Sequence, residues 1–208
     1  MKKKTKLKEI VFPNKKINFF ITSMMILGII SGAIFLMILS KTDKNNVILQ
    51  ITNFFKKIAN NGIDKGQAFR NSLIINYLFI VSIWILGFSI IGIFINILIT
   101  YIKGFLVGFS VASIFLTFGV KGLIANILYV LPAQIINIMI VMMLSIYSIM
   151  LTYNLIRIIV SKKGNNRLML KKYCVIFMFA IILSFISSIM ESYLFPSLLK
   201  VVIKLYVS

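Results

Sequence analysis

Long uncharged runs separated by short basic stretches set the pattern of this chain. Residues 17 to 40 carry no charge. As a helix rising 1.5 Å per residue they cover roughly 36 Å, more than a hydrocarbon core of about 30 Å requires. Ser31 and Ala33 loosely imitate a signal-peptidase site, but Ile34 to Leu39 stays apolar beyond it. A retained span behind the basic head at 1–16 is therefore expected rather than a cleaved leader.

The loop at 41–71 is polar, with one ordered piece. Val47, Ile48, Ile51, Phe54, Phe55 and Ile58 recur at steps of three and four, with Gln50, Asn53, Lys56 and Lys57 on the other face. This periodicity predicts an amphipathic helix over 47–59, capped by Asn45 or Asn46, lying in the headgroup plane or packed on neighbouring spans.

Residues 72–102 carry no charge. Gly87 and Gly92 could break the run into a hairpin, yet neither half reaches about twenty residues and no polar turn separates them. One long, tilted span is expected. A third span follows at 104–118, then a turn and a short interfacial or re-entrant helix at 119–132 ending at Pro132. A fourth span covers 133–160, a basic loop 161–172 and a fifth span 173–190. Residues 191–208 read as a tail lying along the membrane, with Pro196 in its first turn. The fold class is thus all-α: a polytopic membrane bundle of about five transmembrane helices plus interfacial amphipathic helices, in a single domain. Asn126, Gln134, Asn137 and Asn154 should face protein rather than lipid.

Composition narrows the function. The chain is 60% hydrophobic with four acidic residues in 208, and its net charge of +19 would suggest nucleic acid in a soluble protein. Here the basic residues flank apolar runs, so anionic lipid headgroups are the expected counter-charge, and no nucleic acid partner is expected. With a cytoplasmic amino terminus, fourteen basic residues fall inside, Lys103 among them, against nine outside. Five crossings then put the carboxy terminus outside.

Histidine is absent, Cys174 is the only cysteine, and Glu9, Asp43, Asp64 and Glu191 are scattered. No catalytic, metal or cofactor site stands out. Small residues mark close packing instead: Gly28 and Gly32 share a helix face, as do Gly104, Gly108 and Ala112. Such rows serve contacts within a bundle or between copies, and self-association stays open.

At Trp84 to Gly92 (WILGFSIIG) and Lys103 to Val111 (KGFLVGFSV) the chain resembles the stage II sporulation protein M family of endospore-forming bacteria. The turn Gly119 to Gly122 (GVKG), the stretch Leu131 to Gln134 (LPAQ) and the stretch Glu191 to Lys200 (ESYLFPSLLK) follow in the family's order. The resemblance implies a non-enzymatic, multi-pass scaffold of the mother cell's septal membrane. It would recruit two peptidoglycan-processing partners, stage II sporulation proteins D and P, during engulfment. On that reading the outer segments dock the partners or lipid. Phe54, Phe55, Tyr193 and Phe195 are aromatic anchors, and Lys56, Lys57, Lys121, Lys200 and Lys204 are cations for acidic groups.

Two rivals remain. A transporter or permease subunit would use midplane polar residues such as Asn96, Gln134 and Asn137, although no acidic residue is expected mid-span to couple it. A membrane-embedded enzyme would need an acid-base pair, whereas Ser89, Ser110 and Lys103 read as packing and interface residues.

Overall fold

The computed structural model describes residues 14–60, 64–161 and 167–199. Among them it shows seven α-helices and no strand: α1 (Lys15–Ile38), α2 (Lys41–Ala59), α3 (Lys65–Leu86), α4 (Gly92–Phe118), α5 (Val120–Ala125), α6 (Leu131–Ser161) and α7 (Arg167–Ile189). Two π-helical turns, Asn126–Val130 and Met190–Leu194, join α5 to α6 and carry α7 onward to Leu199. Five helices are long and apolar enough to cross a membrane: α1, α3, α4, α6 and the α7 rod through Leu199. The protein is a multi-pass helical membrane protein. Exposed apolar side chains such as Phe19, Met37, Phe94 and Leu168 stand on its outside, as a lipid-facing surface requires.

Side-chain caps fix three helix starts. Asn14 accepts from the Lys16 and Ile17 amides, Ser40 from Asp43, and Asp64 from Gly66 and Gln67. The amphipathic helix thus begins at Lys41, capped by Ser40 rather than by Asn45 or Asn46. Lys44 reaches back to the Met37 carbonyl (2.8 Å), satisfying an acceptor at the end of α1.

The single span expected over 72–102 is replaced by two. The chain turns at Gly87–Ile91, so α3 and α4 form a hairpin whose arms run 22 and 27 residues. Both arms reach spanning length because charged residues join them: Lys65 and Arg70 lie inside α3, and Lys103 lies inside α4. Tight backbone bonds close the turn, Ser89 to Leu86 and Gly92 to Ser89, and a Cβ on Gly92 would strike the Leu86 carbonyl. Acceptors at the turn are served from other helices. The Tyr173 hydroxyl donates toward the Ile83 (2.9 Å) and Trp84 (3.1 Å) carbonyls, and Thr152 donates to Gly87 (2.9 Å).

Neither Pro132 nor Pro196 ends a helix. A proline in a helix removes one donor and clashes with the carbonyl four residues back. Those carbonyls belong to residues 128 and 192, and each lies in a π turn. The wider turn lets the helix continue, with Phe195 donating to the Met190 carbonyl in the π pattern. Residues 191–199 therefore extend the fifth span and do not form a surface tail, and the expected basic loop is shortened because α7 starts at Arg167.

Packing gives the directions. Gly28 lies against Tyr101 and Gly104, and Gly32 against Phe105 and Phe109, so α1 and α4 run parallel. Ser145 meets Asn96 and Thr100, and Ser188 meets Asn76, so α6 opposes α4 and α7 opposes α3. One face of the bundle, the head face, holds the start of α1, the Gly87–Ile91 turn and the end of α6. The far face holds α2, the Gly119 turn and Leu199. The central core joins Met25, Ile80, Ile83, Ile140, Leu144, Tyr147, Tyr173 and Ala180, with α6 the most enclosed helix.

Candidate functional site

A stripe of polar residues winds through the apolar interior. On α4, Asn96, Thr100 and Lys103 recur at steps of four and three on the buried face. On α7, Ser184, Ser187, Ser188 and Glu191 do the same, continued into the π turn. Asn76 lies buried near the middle of α3, with Ser72 one turn toward the far face. The fold brings these together at mid-depth. Lys103 stands 11 residues into α4, about 16 Å along its axis from Gly92.

A chain of polar contacts links the two ionisable groups. Lys103 Nζ lies 3.5 Å from Asn76 Oδ1 and 5.2 Å from the centroid of the Phe79 ring. Asn76 Nδ2 is 3.4 Å from both Ser72 Oγ and Ser188 Oγ. Ser72 Oγ donates to Glu191 Oε2 at 2.7 Å, the shortest link. Lys103 is 5% exposed. An ionisable group at the centre of a bilayer costs about 2.5–3.5 kcal/mol on insertion scales, and such groups mark functional positions. The long Asn76 contact and the ring meet only part of what a lysine amine can donate.

Glu191 also lines a cavity of about 250 Å³ in the far-face half of the bundle. Its wall combines Gln50, Phe54 and Phe55 of α2, Ser110 and Ser113 of α4, and Gln134 of α6. Three of these, Gln50, Phe54 and Ser110, are exposed. Toward the head face a second cluster, Asn96, Thr100 and Ser145, closes on itself with bonds of 2.9 Å. Below it, Ile80, Ile83, Leu144 and Tyr147 fill the interior.

Two expectations are corrected here. Lys103 is not an interface residue at the head face; it is buried at mid-depth. Nor is the membrane interior without an acid, because Glu191 sits inside the fifth span. A single span over 72–102, with its break at Lys103 and not at 87–91, puts Lys103 at an edge, and an end at 190 for the last helix does the same for Glu191. The periodic stripe Ser184, Ser187, Ser188, Glu191 was a visible signal for the site. Ser72 and Asn76, four apart, were another.

The candidate docking residues scatter. Phe55 is 8% exposed and packs on Phe118 (4.6 Å between centroids), while Phe195 is 3% exposed, so both are core side chains and not free anchors. Phe54 is 37% and Tyr193 44% exposed, with Tyr193 beside Phe69. Lys56, Lys57 and Lys121 are exposed on the far face. Lys200 and Lys204 lie outside the described residues. Asn126 and Asn137 are buried, Asn126 donating to the Val111 carbonyl, whereas Gln134 and Asn154 are half-buried.

The glycine rows face each other. A Cβ on Gly28 would strike the Tyr101 carbonyl, on Gly32 that of Phe105, on Gly104 that of Met25, and on Gly108 that of Ile29. Ala112, the next small residue on α4, is half-buried. These glycines are thus used between α1 and α4 of one chain, with Tyr101 bonded to Ser31 (2.7 Å) across the same seam.

Among the described residues no group of three or more His, Cys, Asp or Glu side chains is placed to hold a metal ion. Asp43 and Asp64 are occupied at helix starts.

The family model described as Stage II sporulation protein M matches residues 20–196. No curated protein and no solved structure matches the chain.

Proposed function

The chain belongs to the stage II sporulation protein M family, a family of sporulation membrane proteins, and from that membership we propose that it is a non-enzymatic scaffold of the engulfment machinery. It recruits the peptidoglycan-degrading stage II sporulation proteins D and P to the septal membrane, from the mother-cell side. The family match over most of the chain carries this reading.

The amino terminus is cytoplasmic and the far face looks toward the wall. With Lys103 buried, the sequence carries seven lysines before or at the start of α1 and six basic residues from Arg157 to Lys172, against nine in the remaining segments, and this bias supports the orientation. The docking surface is the solvent side of α2, where Lys56 and Lys57 are exposed, with Phe54 at the rim of the cavity beneath that helix and Lys121 on the same face of the bundle. Anionic lipid competes for the same cations.

Tagged protein followed through sporulation tests the reading. It should gather at the asymmetric septum and co-purify with both partners. The charge-reversed Lys56→Glu/Lys57→Glu protein should fold, reach the septum and lose the partners. Normal engulfment in cells lacking the gene would overturn the scaffold assignment.

A further inference from the structure

The geometry points to a proton-binding site at Glu191, reached by water from the far face alone and coupled to Lys103 through Ser72, Ser188 and Asn76. This inference is independent of the scaffold reading.

Access comes first. Glu191 lines the cavity beneath α2, whose wall supplies Gln50, Gln134, Ser110 and Ser113 as partners for water. A volume of about 250 Å³ holds several water molecules, each taking roughly 30 Å³ in the liquid. On the opposite side, among the described residues, the Asn96, Thr100 and Ser145 cluster is bonded internally, and the apolar core lies around it.

The composition of the site comes second. The elements around Glu191 contribute Gln50 from α2, Ser72 and Asn76 from α3, Lys103, Ser110 and Ser113 from α4, and Gln134 from α6. Lys103 is the one other ionisable side chain in this set. The two are bridged by hydroxyl and amide groups and do not touch. A bridged couple with solvent on one side can accept a proton at the Glu191 carboxylate from hydronium in the cavity, which leaves a water molecule there. Ser72 then keeps its bond by turning its hydroxyl, since an alcohol both donates and accepts. The Asn76 amide donates and accepts but releases no proton, so it holds Lys103 in register and ends the path there.

Dicyclohexylcarbodiimide, which attacks protonated carboxyl groups in apolar surroundings, supplies the test. Full-length protein is reconstituted in vesicles of known orientation, the pH on each side is set separately, and labelling is read by peptide mass spectrometry. Glu191 should be labelled. Labelling should fall as far-face pH rises, and stay constant as head-face pH changes. Glu191→Gln should lose the label. Lys103→Met should keep far-face control, which supplies a readout if Glu191→Gln fails to fold.

Absence of label at every pH, while a water-soluble carbodiimide modifies Asp43 and Asp64, would show a permanently ionised structural pair and overturn the proposal. Control from the head face would overturn it equally.

Discussion

Tyr173 shows how one hydroxyl can hold a turn in place. Its side chain is buried and its oxygen faces the Ile83 and Trp84 carbonyls at the end of α3. Tyr173→Phe is expected to cost about 1 kcal/mol, near the upper part of the range for side-chain hydrogen bonds inside membranes. Denaturation in mixed micelles measures it. Phe55→Ala should cost more, about 3–5 kcal/mol, because it empties a site packed by Ile114, Phe118 and Leu199. The two kinds of glycine separate as well. Gly108→Leu drives a side chain into the Ile29 backbone and should prevent the α1–α4 contact, read as loss of monodisperse protein. Gly119→Ala meets no atom within 4 Å, but its φ of 58° with ψ of −136° is unfavourable for an L side chain, so the loss should be about 1–3 kcal/mol. The glycine spacing was legible in the sequence; the backbone each glycine touches was not, because that depends on which span lies alongside.

Among the elements, the hairpin of α3 and α4 was the hardest to read. Its turn, Gly87 to Ile91, contains one polar side chain; Thr152 serves the Gly87 carbonyl, and Tyr173 serves those of Ile83 and Trp84 just before it, from 65 and more residues away. A local scan for polar turns cannot see partners at that distance. The two π turns posed the same difficulty: judged alone, Pro132 reads as a stop and Pro196 as a first turn, whereas each helix continues through a widened turn. By contrast the periodicity of α2 was plain, and its buried face, Phe55 and Ile58, is the one the spacing picked out. The hairpin yields a direct check. In a Cys174→Ser background, Ser89→Cys should react with a membrane-impermeant maleimide from the head-face side. A single span over 72–102 would leave position 89 near mid-bilayer and unlabelled.

For the whole molecule, the all-α class and the five crossings were legible from apolar length, because a spanning segment declares itself by its run of uncharged residues. The total survived two errors of placement because they offset: one span too few over 72–102, and one short span at 104–118 that is really the second half of α4. The same errors put Lys103 at a membrane edge, and an end at 190 for the last span put Glu191 at the other. On the proposed topology, five crossings set the termini on opposite sides. A fluorescent protein that matures only in the cytoplasm should be bright on the amino terminus and dark on the carboxy terminus.

The seam between α1 and α4 also constrains how the molecule is made. Gly28 finds its neighbour Gly104 only 76 residues later in the chain. At translation rates of about 5–20 residues per second the first helix waits roughly 4 to 15 seconds for its partner. Throughout that interval its glycine groove faces lipid or the insertion machinery. A nascent chain stalled before residue 92 should therefore stay cross-linkable to the translocon through positions 28 and 32, and one stalled after α4 has emerged should be released.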